Sequence, residues 1–224
     1  MGPRVDYVGK ERAPVLVIEN AWPDAQKLVD VAAQRQDYRP RSLYYPGLRS
    51  SAPPDYALGI VQKFTKLICS TFDLPDNLVI TDSTFSLVTT PPEKLVPFQR
   101  VPHFDSVDPN RIALLHYISD LGGTSFYRHR STGLEIITAD VQERYIHTVN
   151  EEVRESGLPP HQYVEGDTDL FERIAKYDAA FNRALIYRGN MLHSVNVPPG
   201  FVPDPNPRTG RLTLNTFLTV RSAA

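Results

Sequence analysis

At about residue 78 the hydrophobic period of this sequence changes, and that change limits its possible folds more than any other feature. Upstream, apolar residues recur at helical spacing. Downstream come short β-branched and aromatic runs at 78–80, 84–89, 112–118, 134–137, 184–187, 192–197 and 212–220, separated by proline, glycine and aspartate clusters. Helical patterns interrupt this series at 141–156 and 168–182. The first stops at Gly157, with Pro159 and Pro160 beyond it. Helices followed by many short strands predict a mainly β, α+β fold in which helices pack on a β-sandwich.

The region before residue 78 reads as a strand at 15–18, a turn through Pro23, and a helix to Gln34 with Leu28, Val29, Ala32 and Ala33 on one face. Residues 38–54, rich in proline, arginine and tyrosine, predict an ordered surface loop, whose 44–49 segment is suited to covering a site or, at least equally, to packing over a sheet. Asp55 is placed to cap a second helix, whose apolar face is Tyr56, Ile60, Val61, Phe64, Leu67, Ile68 and Phe72. With 224 residues, 41% of them hydrophobic, the chain suits a single domain over 1–224, with 1–77 packed on a core at 78–220. The proline-dense stretch 198–207 is too short to divide it.

A formal charge of −2 gives no basic surplus for nucleic acid, and no run approaches the roughly 18 apolar residues of a membrane span. Cys69 is the only cysteine, which excludes a disulfide within the chain and a multi-cysteine zinc site. One thiol in an apolar stretch reads as a core residue in a reducing compartment, and no signal-peptide pattern follows Met1. The expected location is the cytoplasm.

Against this background His103-Phe-Asp105 stands out. In extended chain, alternate side chains project to one face, so the pair aims an imidazole and a carboxylate at one point. By itself an H-x-D pair is common in surface loops. Here a strand follows it, and a polar turn at 188–191 leads into another strand bearing His193. Two imidazoles and a carboxylate on one face of an octahedral ferrous ion leave the opposite positions open. Arg211 and Thr213 share a face of the last strand, where a guanidinium and a hydroxyl grip a carboxylate. The competing reading of Arg211 is an ordinary surface ion pair. Tyr117 lies on the strand after the metal pair, its phenol equally suited to the cavity or to a satisfied place in the core. His116 alternates with Tyr117 and faces the other way. His129, between Arg128 and Arg130, reads as a solvated loop, His147 as helical surface and His161 as surface, with the two arginines on a solvated rim.

The ordered set His103-Phe-Asp105, Leu115-His-Tyr-Ile118, Gly122-Gly-Thr-Ser-Phe126, His193 and Arg211-Leu-Thr213 resembles the Fe(II)/2-oxoglutarate-dependent oxygenase superfamily, nearest its prolyl-hydroxylase-like branch. The resemblance spans about residues 78–220. It implies a double-stranded β-helix, or jelly roll, with N-terminal helices. It implies iron at His103, Asp105 and His193, and 2-oxoglutarate at Arg211, assisted by Thr213 and Tyr117. Gly122 and Gly123 are expected to form a tight turn, and Phe126 to pack the cavity wall. The interval between His193 and Arg211, which includes 198–207, is longer than is usual in the family and makes the cavity rim non-standard.

The implied activity consumes O2, decarboxylates 2-oxoglutarate to succinate and hydroxylates an unactivated C–H, with ascorbate a candidate reductant. Retention of the Asp105 carboxylate favours hydroxylation over halogenation; desaturation and cyclisation depend on substrate placement. The expected substrate is a small molecule, an amino acid or a peptide-like metabolite. The alternatives are a protein-directed prolyl or side-chain hydroxylase, a cupin-like metalloenzyme using oxygen alone, and a non-catalytic β-sandwich binding module.

Overall fold

The computed structural model describes residues 2–221. In chain order its strands are β1 (Arg4–Val8), β2 (Ala13–Ile18), β3 (Gly47–Ser51), β4 (Leu78–Val88), β5 (Ile112–Tyr117), β6 (Gly123–His129), β7 (Phe171–Asp178), β8 (Arg183–Arg188), β9 (His193–Asn196) and β10 (Leu212–Val220). Three α-helices accompany them: α1 (Ala25–Gln34), α2 (Pro54–Phe72) and α3 (Ala139–Ser156). The strands form a seven-stranded sheet, ordered β1-β2-β8-β5-β10-β4-β3, and a three-stranded sheet, ordered β7-β6-β9. Their pairings are antiparallel. The two sheets face one another as a jelly roll, with α1 and α2 on the outer face of the large sheet.

The large sheet is covered on both sides, which is why β5 reads as a continuous apolar run. Along β5, Ile112 and Leu114 join the core beneath α1 and α2, while Ala113, Leu115 and Tyr117 point between the sheets. On β10, Leu212, Leu214 and Leu218 face the helices. The intervening Thr213, Asn215 and Phe217 line the space between the sheets. Helix α2 buries Tyr56, Ile60, Val61, Phe64, Ile68 and Phe72, as its periodicity predicts, and Leu67 packs at the margin. Each fully buried side chain of this size contributes about 1.5–3 kcal/mol. Gly59 lies within α2 because a Cβ there would come within 2.7 Å of the Trp22 indole.

Several expectations need correction. The predicted helix at 168–182 is instead β7, paired with β6. A register shift leaves Ile174 unpaired, and this bulge breaks the strand's alternation into an apparently helical spacing. The segments at 78–80 and 84–89 are one strand, β4. Its middle looks polar because Thr81 is bulged out opposite Phe217 and Leu218. Residues 134–137 form no strand, although Ile136 makes a bridge to Met191. The surface loop at 38–54 contains β3, and the sequence reading lacks the edge strand β1. Pro53, not Asp55, stands at the α2 N-cap; Asp55 sits in the first turn, favourable to the helix dipole.

Candidate metal centre

The H-x-D segment lies against the crossing from β8 to β9. His103 and His193 form a two-bond antiparallel bridge, each N–H donating to the other's carbonyl at 2.8 Å. Two residues on, the Asp105 N–H donates to the Gly189 carbonyl at 2.7 Å. A Cβ at Gly189 would crowd Arg111 Cγ at 3.2 Å and touch the Asp105 Cβ at 3.4 Å. The three side chains therefore converge from adjoining backbone segments at the seam of the sheets, rather than from strands on opposed sheets.

Asp105 Oδ2 lies 3.6 Å from His193 Nε2, and Asp105 Oδ1 lies 3.9 Å from His103 Nε2. One ligand atom from each residue falls within 4.8 Å of the others. The His193 Nδ1–H donates to the Met191 carbonyl at 2.8 Å, which turns the Nε2 lone pair toward Asp105. Burial, the nearby His193 and the Arg49 charge, in that order, hold His103 well below the usual histidine pKa. Although 36% of its side chain is accessible, that surface opens to the cavity, and the neutral ring is the metal-binding form. Two neutral imidazole donors and a carboxylate fit a divalent iron ion with open positions.

These residues line a cavity of about 720 Å³ between the sheets, beneath α3 and the segments around Tyr44 and Phe98. Arg211, 3% exposed, and Thr213 also line it. Arg211 Nη2 donates to the Gly123 carbonyl at 2.8 Å, while its buried Nε has no partner among the described residues. Thus Arg211 is no surface ion pair. Gly122 gives the guanidinium space: it has φ 74°, and a Cβ there would be 3.1 Å from Arg211 Nε. Tyr117 lies behind the cavity wall. Its phenol bonds Thr124 Oγ1 at 2.6 Å, and its ring centroid is 6.0 Å from Arg211 Cζ. Burial pushes Tyr117 up to about 12, so the phenol stays protonated. It can hold Arg211 and Thr124 in place, and Thr124 meets the cavity in its stead.

Further lining residues have no site assignment from the sequence. Tyr187 packs edge-on to His193 with 4.9 Å between centroids; burial first and the Asp105 charge second raise its pKa well above the usual phenol value. Its alternation with Leu185 was a usable signal. Arg49 and Asn215 also reach the cavity. Arg49 belongs to the 44–49 segment, which the sequence offers as a cover over a site, and Tyr44, Tyr45 and Pro46 of that segment line the cavity with it.

His116 is buried on the helix side, bonded to Tyr56 and Asn182. His129 is not in a solvated loop. It ends β6 fully buried, with Nε2 2.8 Å from Glu152 Oε2 on α3 and Nδ1 2.9 Å from Thr132 Oγ1. Nor is Arg128 a solvated rim: only 12% exposed, it pairs with Glu135 and Glu172. Arg130 is more exposed and pairs with Asp167. His147 and His161 are exposed.

The family model for DUF6445, a family of unknown function, matches residues 1–218. No curated protein matches the chain. Among solved structures, HygX from Streptomyces hygroscopicus with nickel and 2-oxoglutarate bound is 12% identical, with a TM-score of 0.50 over 94% of this chain and 84% of that one. HygX with iron bound is 11% identical, with a TM-score of 0.50 over 94% and 83%. SnoN, described as a non-heme alpha ketoglutarate dependent epimerase from nogalamycin biosynthesis, is 13% identical, with a TM-score of 0.52 over 94% and 79%. At these identities the likeness establishes a shared fold. It extends to the fold expected of the superfamily and does not reach its prolyl-hydroxylase-like branch.

Proposed function

The chain belongs to the DUF6445 family along nearly its whole length, and we propose that it is an Fe(II)- and 2-oxoglutarate-dependent oxygenase. The observation that carries this reading is the convergence of His103, Asp105 and His193 in one cavity with a buried, carboxylate-free Arg211. The first three would hold the iron. Arg211 and Thr213 would take the distal carboxylate of 2-oxoglutarate, with Tyr117 fixing the guanidinium from behind. When bound, iron with 2-oxoglutarate and O2 supplies the oxidising power that side chains lack. The protein's own contribution is orientation: the cavity fixes co-substrate and substrate relative to the metal and replaces a multi-body encounter. The fold shared with HygX, solved with nickel and 2-oxoglutarate bound, and with SnoN, an alpha ketoglutarate dependent epimerase, supports this reading.

We assign hydroxylation of an unactivated C–H in a small molecule, an amino acid or a peptide-like metabolite. The SnoN likeness makes epimerisation a second outcome at the same site. Product mass separates the two, since hydroxylation adds one oxygen and epimerisation adds none. Among the described residues no helix is long and apolar enough to cross a membrane. The lone buried thiol, Cys69, supports a cytoplasmic setting.

Anaerobic addition of Fe(II) and then 2-oxoglutarate tests the proposal. A weak metal-to-ligand charge-transfer band is expected, followed by succinate formation when O2 is admitted. A non-catalytic binding module gives neither, and a cupin-like enzyme turns over without 2-oxoglutarate.

A further inference from the structure

The cavity holds a second guanidinium, that of Arg49, which the metal and co-substrate assignments leave unused. Arg49 lies on β3 opposite Ser86 of β4, and Ser86 in turn lies opposite Thr213 of β10. Its backbone is therefore two strands from Thr213, roughly 10 Å at the usual strand spacing. The guanidinium lies over Tyr45, with Cζ 4.3 Å from the ring centroid, and the platform restrains it. Its Nε is buried without a partner, and among the described residues no carboxylate pairs with it. A partly buried cation left in this state is costly until an anion compensates it.

Charge balance indicates which anion that is. Ferrous iron, Asp105, Arg211 and dianionic 2-oxoglutarate are together neutral. Arg49 remains the uncompensated charge on the His103 side of the cavity. Arg111 and Asp82, of opposite sign, line the cavity near Phe217, farther along β10. Exposure also distinguishes the two guanidiniums. Arg211 is almost completely buried, whereas Arg49 is half-buried. The cavity walls also include Tyr44, Phe98, Phe104, Tyr145 and Ile146, which favour an apolar body.

We infer that Arg49 binds a carboxylate of the substrate, so the substrate is a carboxylic acid with an apolar or aromatic body. This rests on the oxygenase reading for its setting but makes a separate claim about Arg49. The test is calorimetry on the full chain loaded with redox-inert Ni(II) and 2-oxoglutarate. N-acetylphenylalanine and N-acetylleucine are titrated, each against its own amide. At least one acid is expected to bind more tightly than its amide by about tenfold, the scale of one charge-assisted hydrogen bond. Arg49→Gln should remove that preference without weakening 2-oxoglutarate. Arg49→Lys, checked for an unchanged melting temperature, should keep part of it.

The inference is overturned if no acid outbinds its amide, or if Arg49→Gln weakens 2-oxoglutarate as Arg211→Gln does, making Arg49 a second co-substrate cation. The acid–amide comparison is repeated on the metal-free chain. Failure of 2-oxoglutarate to bind the Ni(II) form would overturn the oxygenase reading, while the metal-free comparison still decides the role of Arg49.

Discussion

His103 and His193 are cross-strand partners, joined by two backbone hydrogen bonds of 2.8 Å, with ring centroids 4.4 Å apart. The backbone bridge fixes the imidazole spacing before any ion arrives, so Asp105 completes a donor set whose other two members are already in place. Asp105→Ala is therefore expected to leave the bridge and fold intact while abolishing tight Fe(II) binding and succinate formation. Metal content after desalting and succinate yield measure the two effects. Unchanged iron- and 2-oxoglutarate-dependent turnover in this variant would remove Asp105 from the centre.

Among the described residues Arg211 donates through Nη2 to one backbone carbonyl and keeps Nε without a partner. A hydrogen bond to a charged group contributes about 1.5–3 kcal/mol. Arg211→Ala should consequently raise the 2-oxoglutarate requirement by about 10- to 150-fold, with a smaller effect on turnover at saturation. Succinate production as a function of 2-oxoglutarate concentration reads the shift. A co-substrate affinity equal to that of wild type would exclude Arg211 from the site.

The convergence of His103, Asp105 and His193 is legible because H-x-D and a single histidine on a later strand are local patterns that need only two segments to meet. Helix α2 was legible for the same local reason: its apolar face recurs at every turn. What the sequence concealed depends on pairing. The bulges at Ile174 and Thr81 displace the period of β7 and β4, and a bulge becomes visible only beside its partner strand. Tyr117 presents a phenol on the correct face, but Thr124, seven residues downstream, holds it behind the wall. His129 and Arg128 look solvated in a basic tripeptide, until Glu152 from α3 and Glu135 from the following turn reach them.

Glu135 is 2% exposed and ties the β1–β2 turn to the small sheet. Its carboxylate accepts the Lys10 and Glu11 N–H groups at 3.0 and 3.2 Å and the Arg128 Nε–H at 2.7 Å. Removing one partner of a buried ion pair costs about 3–5 kcal/mol. Glu135→Ala should destabilise the chain by that order, because Arg128 then keeps only the half-exposed Glu172. Urea unfolding measures the loss, and a change within experimental error would show that water satisfies Arg128 equally well.

His116 gives a pH dependence that is independent of the metal centre. Its Nδ1 is 3.0 Å from the Tyr56 hydroxyl, and its Nε2 is 2.9 Å from Asn182 Oδ1. With Asn182 accepting, Nε2 carries the proton and Nδ1 accepts from Tyr56, whose own pKa burial raises well above the usual phenol value. Burial drives His116 down to about 4; the Asn182 bond opposes the fall and the Lys63 charge adds to it. The unfolded chain thus takes up this proton near pH 6.5, whereas the folded chain resists it until about pH 4. Stability from this group is complete above pH 6.5 and is lost as pH falls through that window, by about 3 kcal/mol in all. His116→Gln should be less stable at pH 7 yet lose less between pH 7 and pH 4.5 than wild type does. Urea unfolding at the two pH values gives the comparison. Equal losses in the two proteins would mean that His116 takes up its proton in the folded chain as readily as in the unfolded one.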